Sequence, residues 1–282
     1  MRKVVDRNYL QAPELRDYLA ASNKHQVVLT DYAAMEAFKG NAIANIVSAT
    51  EYLREFPERV IVLKSTNIIA TLRGRRCGFT RRMVDKDQTR GFPEWCGHLM
   101  RALAGDQRLQ RQISENGKEA DAHLNLMRDE QQNFAENLAA HAKTFEEAEL
   151  KALRKNEPVS LDMFAKIQSH VLEMAAFLFE SHPQFTELPT ARELPYTFIF
   201  RYATAGYLLA LRRLKSGSTT LNSEKVRNDI VDCAYAAHAT YFQGFLSRDV
   251  KANELYAETK SLVGLFLTSP PPPDHVLRRL SD

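Results

Sequence analysis

The chain has 282 residues, 44% hydrophobic and 26% charged, with a net charge of +3. That composition is ordinary for a soluble globular protein of one large domain or two smaller ones, and its mild basicity is compatible with a nucleic-acid partner without arguing for one. Cys77, Cys96 and Cys233 are odd in number and form no CxxC pair, which argues against a disulfide framework and a zinc knuckle and leaves reduced thiols in a cytoplasmic protein as the expectation. The opening MRKVVDRNYLQAPEL is broken by charges and is not expected to be a secretory signal. No stretch is apolar for long enough to predict a membrane helix.

In chain order, Lys3-Val4-Val5 predicts a short strand ending at Asp6, followed by a helix near 14–21 after Pro13. A second strand at 26–29 leads into Thr30-Asp31, a good helix-cap pair, and a helix at 32–38. Residues 41–56 read as one longer amphipathic helix that Pro57 ends. Val60-Ile61-Val62-Leu63 is a β-branched apolar run typical of a strand buried on both faces of a parallel sheet. Strand, helix, strand, helix, strand predicts an α/β domain. Residues 73–90 read as a basic loop. From about 95 to 214 the apolar spacing is helical, with breaks at Asn156-Glu157-Pro158, Ser181-His182-Pro183 and Leu188-Pro189. After Ser216-Gly217-Ser218 the α/β texture returns. A helix is expected at 224–241, a strand at Phe245-Leu246, a helix at 250–260 and a last strand at 262–267. Pro270 to Pro273 is a rigid spacer before a short tail.

The expected organisation is therefore one discontinuous α/β domain, residues 1–94 and 215–269, opened by a helical insertion at 95–214 and followed by a Pro-rich tail at 270–282. Two domains in series would leave the Phe245-Leu246 strand without a sheet.

Acids stand where strands meet helices. Asp6 ends the first strand, and Glu36 lies in the helix after the second. Asp229 and Asp232, three apart on a helix, share a face. Asp249 follows the strand Phe245-Leu246. In an open parallel sheet, ligands bind outside the carboxyl ends of the strands. Gathered carboxylates repel one another, and a divalent cation offsets that cost; hard oxygen ligands suit Mg²⁺ or Mn²⁺, which activate water toward a phosphodiester. Taken singly, each acid also suits a blander role. Asp6 is a common turn residue, Glu36 a solvated helix residue, Asp229 a cap, Asp232 a partner for a cation and Asp249 a cap for the helix at Val250.

Val4-Val5-Asp6-Arg7-Asn8-Tyr9-Leu10 resembles the opening strand of PIN-like nucleases, and Val27-Val28-Leu29-Thr30-Asp31-Tyr32-Ala33-Ala34-Met35-Glu36 resembles their second strand and following helix. Asn228-Asp229-Ile230-Val231-Asp232-Cys233-Ala234-Tyr235, with Tyr241 through Asp249, resembles their helix–strand module. The resemblance lies in the two ends of the chain and does not extend to the helical middle. It implies a three-layer α/β/α domain with a central parallel sheet, and a metal-dependent nuclease that acts most often on RNA. Asp6, Asp232 and Asp249 would be metal ligands, with Glu36 and Asp229 at a second ion or acting through water. Asp229 and Asp232 compete for the third acidic position. Asn8, Ser247 and Asp31 are supporting candidates, each equally suited to a turn or cap.

The basic loop offers Arg73, Arg75, Arg76, Arg81 and Arg82 as phosphate contacts and Phe79 as a stacking ring, against the plain reading of a solvated loop. The histidines show no metal spacing, and His238 reads as a packing residue. The helical block suits substrate access, a protein partner or a homo-oligomer. Two other readings compete: a non-catalytic α/β–helical interaction protein with structural acids, and the same site acting on DNA.

Overall fold

The computed structural model describes residues 1–38, 40–74, 76–129, 145–155, 160–182, 184, 188–216 and 223–270. They are mostly helical around a small parallel sheet, an α/β arrangement. Two compact units are present: the first takes residues 1–69, 79–127 and 238–254, and the second 70–78, 128–237 and 255–282.

The sheet lies in the first unit. Strands β1 (Arg2–Val5), β2 (Gln26–Leu29), β3 (Val60–Val62) and β4 (Phe245–Leu246) run in the order β3-β2-β1-β4, all parallel. Val4, Val5, Val27 and Val28 are fully buried. Successive strand side chains point to opposite faces, so consecutive buried valines mean that both faces are covered, as parallel sheets require. Val4 pairs with Phe245 and Val5 with Leu246, which brings the two ends of the chain into one sheet.

The outer edge of β3 is covered. Leu63 and Val84 form an antiparallel bridge. Asp85 N donates to Val62 O (2.9 Å), and Val62 N donates to Thr89 Oγ1 (3.0 Å). These bonds satisfy edge groups that would otherwise template pairing with another chain. The core of this unit gathers Leu15, Leu19, Ile46, Leu53, Phe92 and Leu99. Each such side chain contributes roughly 1.5–3 kcal/mol by leaving water.

In the second unit, helices Leu161–Glu180 and Phe198–Ser216 pack together. Tyr207, fully buried, shares a 2.8 Å hydrogen bond with His170 Nδ1. Phe200 and Phe266 meet edge to face at 4.9 Å. All three cysteines are buried and unbonded to one another. Among the described residues, no helix is long and apolar enough to cross a membrane.

Four local expectations differ from what forms. The expected helix at 41–56 is two, Ala42–Ala49 and Glu51–Glu55, because the Thr50 hydroxyl turns back to donate to Ile46 O (2.7 Å). The basic loop is partly helical: Thr80–Met83 is one turn, and helix Lys86–Leu103 starts about two and a half turns before the expected position near residue 95. Asp85 caps it, accepting from Asp87 N and Gln88 N, so that Gly91 and Pro93 fall inside the helix instead of breaking it. The expected strand at 262–267 is the continuation of helix Val250–Thr268, with Leu262, Val263 and Phe266 buried and Leu265 and Leu267 exposed. A short apolar run carries no periodicity that separates the two states. Asp6 also starts an unanticipated helical turn, Arg7–Leu10. The breaks at Pro158 and Pro183, residues 130–144 of the helical block, Gly217 and Ser218, and the tail from 271 onward lie outside the described residues.

Two glycines give opposite tests of this packing. A Cβ added at Gly117, on helix Gln107–Asp129, would lie 2.7 Å from the Ala42 Cβ, whereas one at Gly97, on helix Lys86–Leu103, would meet nothing within 4 Å. Gly97→Ala is expected to stabilise by about 0.5–1 kcal/mol through helix propensity. Gly117→Ala is expected to destabilise by about 1–3 kcal/mol through overpacking, despite the same propensity gain. Urea unfolding of the two variants checks both signs.

Candidate active site at the carboxyl edge of the sheet

The path of the chain selects one place on the sheet. From β1 it moves outward to β2 and β3, and it returns to the far side of β1 as β4. The order therefore reverses at β1, and the crevice at the carboxyl ends of β1 and β4 is where open α/β sheets hold ligands. Asp6 ends β1 and Ser247-Arg248-Asp249 follows β4. The main chain ties them, with Asp6 N donating to Leu246 O at 2.9 Å.

Ser247 sits between the two acids. Its hydroxyl donates to Asp6 Oδ2 (2.7 Å) and accepts from Asp249 N (3.0 Å). Asn8 closes the group: its Oδ1 accepts from Arg248 N (3.0 Å), and its Nδ2 lies 3.4 Å from Ser247 Oγ. Arg248 itself turns to Glu14, at 2.6 Å. Asp6 and Asp249 each cap a helical turn as well. Asp6 Oδ1 accepts from Asn8 N (3.4 Å); Asp249 Oδ1 accepts from Lys251 N (2.7 Å) and Ala252 N (3.3 Å) at the start of helix Val250–Thr268. The second oxygen of Asp6 is the one that accepts from Ser247.

Burial raises the pKa of Asp6 above the ordinary carboxylate value, and the charge of Asp249 adds to the rise; hydrogen bonds from Ser247, Asn8 and Arg7 oppose it. Asp6 is only 6% exposed, while Asp249 is open to solvent. One acid is thus a desolvated, strained anion and the other a solvated one beside it. That arrangement is relieved by a nearby positive charge.

The ends of β2 and β3 carry a second polar chain. Asp31 Oδ2 accepts from Thr66 N (2.6 Å), and its Oδ1 accepts from the Thr66 hydroxyl (2.7 Å) and from Tyr32 N (3.0 Å). The Thr66 hydroxyl has given its one proton to Asp31, so it accepts from His238 Nε2–H at 3.1 Å. His238 is wholly buried, and desolvation pushes its pKa down to about 4 against the opposing charge of Asp31. Asp31 is therefore more than a helix cap, and His238 more than packing. Thr66 carried no motif. Its only signal is Ser65-Thr66-Asn67, a polar run directly after the apolar strand β3.

Glu36 is half-buried on helix Asp31–Phe38. Asp229 and Asp232 are half-buried on helix Ser223–Ala239 and belong to the second unit, where Asp229 pairs with Arg213. Arg81, exposed, lies over the exposed Phe79 ring at 5.4 Å. Arg82 and Arg73 are half-buried and Arg76 is exposed; Arg75 lies outside the described residues. Among the described residues, no three His, Cys, Asp or Glu side chains are grouped to hold a metal ion. Asp6 and Asp249 provide two. That suits Mg²⁺, which takes one or two carboxylates and completes its shell with water and substrate phosphate. No family model, curated protein or solved structure matches this chain.

Two predictions follow the charges. The folded-state pKa of His238 lies below its unfolded value of about 6.5, so only the unfolded chain takes up a proton between about pH 6.5 and 4. Stability is full above that window and falls as pH drops through it; His238→Gln, which keeps an N–H for Thr66, is expected to flatten the melting temperature against pH there. Asp229→Asn removes a carboxylate from a pair whose side chains are 11% and 18% exposed. It is expected to destabilise by about 1–3 kcal/mol in thermal melts without added metal.

Proposed function

We propose that the chain is a PIN-like, Mg²⁺- or Mn²⁺-dependent endoribonuclease of the cytoplasm that hydrolyses phosphodiester bonds. The observation that carries this reading is the pair Asp6 and Asp249, joined through Ser247 at the β1/β4 reversal. A divalent ion bound there would supply Lewis acidity to a phosphodiester and ease deprotonation of water. The chain's own contribution is to hold Asp6 dry and oriented. Ser247 and the Asn8 amide keep its oxygens oriented, and the Asp249 cap fixes the second carboxylate beside it. Glu36 is the further acid in the same unit for a second ion or a water-mediated role. Arg81 with Phe79 is the phosphate and base contact that unit offers, and Arg73 and Arg76 extend the basic stretch in sequence. Apart from Arg73 and Arg76, which belong to the second unit, the reading rests on residues of the first unit.

One observation favours a second reading. Asp6 and Asp249 are both caps, and an interaction protein with purely structural acids needs nothing more of them. Cleavage separates the two. Labelled RNA and DNA are incubated with Mg²⁺, Mn²⁺ or EDTA. RNA cleavage that EDTA abolishes is expected, with Asp6→Asn and Asp249→Asn each lowering the rate at least about a hundredfold. Mn²⁺ is expected to raise the melting temperature of the wild type but not of Asp6→Asn. The apo variant should melt at or above the wild-type temperature, because a buried like charge is gone. Cleavage that survives EDTA, or that Asp6→Asn retains, sinks the nuclease reading; cleavage of DNA alone changes the substrate.

A further inference from the structure

Within the first unit, a cavity of about 650 Å³ opens between helices Asp31–Phe38, Ala42–Ala49, Lys86–Leu103 and Gln107–Asp129. Its walls are apolar, with Phe38, Leu53, Phe92 and Trp95 among them, and the Phe92 and Trp95 rings lie 5.3 Å apart at a tilt of 34°. Polar groups lie among its lining residues, including Asp31, Gln88, Asn116 and Glu119. Well-packed cores leave few voids larger than a water, so an opening of this size is a feature to be explained. A few hundred cubic ångströms, mostly apolar with a few polar groups, is the usual description of a small-molecule site.

The lining chooses among ligands. It includes two carboxylates, Asp31 and Glu119, and among the described residues neither Lys nor Arg. A phosphate or a fatty-acid carboxylate would enter beside those like charges, with only His123 of the described lining residues able to carry a counter-charge. An uncharged flat ring meets no such cost. Aromatic walls stack it, and carboxylate and amide groups accept from donors on its edge. Position narrows the choice. Leu10, which lines the cavity, is the last residue of the helical turn that Asp6 caps. The cavity wall and Asp6 are thus neighbours along the chain, about one helical turn apart.

We propose that this cavity is a nucleobase subsite, which takes one unstacked base of a single-stranded substrate, with preference for bases that carry an exocyclic amine, while the adjoining phosphate lies at Asp6. The ligand class rests on the nuclease reading above. Adenine and cytosine present such an amine as a donor pair, and uracil does not. Glu119 is the acceptor for it at the cavity lining. The cavity thereby sets which residue of a strand is presented to the acidic pair, and duplexes, whose bases are stacked and paired, are disfavoured.

Trp95 is the only tryptophan of the chain, so its fluorescence reports occupancy directly. Full-length protein is titrated with adenosine, cytidine, uridine, ribose 5-phosphate and dodecanoate, without divalent metal. Adenosine and cytidine are expected to quench Trp95 saturably and to compete with each other, uridine to bind more weakly, and the other two to do nothing. Ala34→Phe, at an exposed position that lines the cavity, should weaken adenosine at least about tenfold with an unchanged melting temperature. Glu119→Gln should narrow the difference between adenosine and uridine. Saturable quenching by dodecanoate but not by nucleosides would make the cavity an apolar-chain site and overturn the proposal, as would no saturable quenching by any probe. RNA cleavage without nucleoside binding refutes the subsite alone; nucleoside binding without cleavage refutes the nuclease reading alone.

Discussion

Strand β4 is two residues long, and the candidate site depends on where it pairs. Val5 opposite Leu246 sets Asp6 beside Ser247, although more than two hundred residues of chain separate them. Two residue pairs and the flanking main-chain bonds, Val4 N to Gly244 O and Asp6 N to Leu246 O, hold this register. A slip of one residue would turn Leu246 to the other face and move the Ser247 hydroxyl away from Asp6. The burial of Leu246, with Val5, in the core of the first unit is what resists such a slip.

From that register the electrostatics follow. Closing β4 against β1 removes water from Asp6 while Asp249 stays exposed beside it. The hydroxyl of Ser247 has one proton and gives it to Asp6, so its remaining capacity serves Asp249 N. The result is a small site in which one anion is dry, oriented and more basic than a free carboxylate. At the neighbouring strand ends Asp31 is treated differently. Thr66 and Tyr32 engage both of its oxygens, and the buried, neutral His238 completes the chain. The two acids therefore differ in their surroundings: Asp31 is bound to Thr66 and Tyr32 beside a neutral histidine, and Asp6 lies buried next to the exposed Asp249.

The parallel sheet was legible because β-branched runs at 3–5, 26–29 and 60–63 have both faces apolar, and because a polar residue stops each one. Asp6, Asp249 and Ser247 were legible for the same reason, as residues at strand ends. What the sequence could not supply was partnership. Nothing in spacing marks Thr66 as the bridge from Asp31 to His238, since that contact depends on how strands and helix pack. Nor does spacing reveal that Asp229 meets Arg213 within the second unit. The run at 262–267 misled for a different reason. Its apolar residues suit a strand locally, and only the helix in progress since Val250, with Leu262, Val263 and Phe266 turned inward, decides its state.

If, as proposed, Asp6 and Asp249 hold a hard divalent cation, Mg²⁺ changes how Asp6 titrates. The most direct measurement is the titration of the Asp6 carboxyl carbon by NMR, assigned with Asp6→Asn, in EDTA and then in excess Mg²⁺. The account predicts a pKa above the ordinary carboxylate value in EDTA and a lower one with Mg²⁺, because the cation favours the charged form. An Asp6 titration that Mg²⁺ leaves unchanged would contradict it and leave the two acids as helix caps.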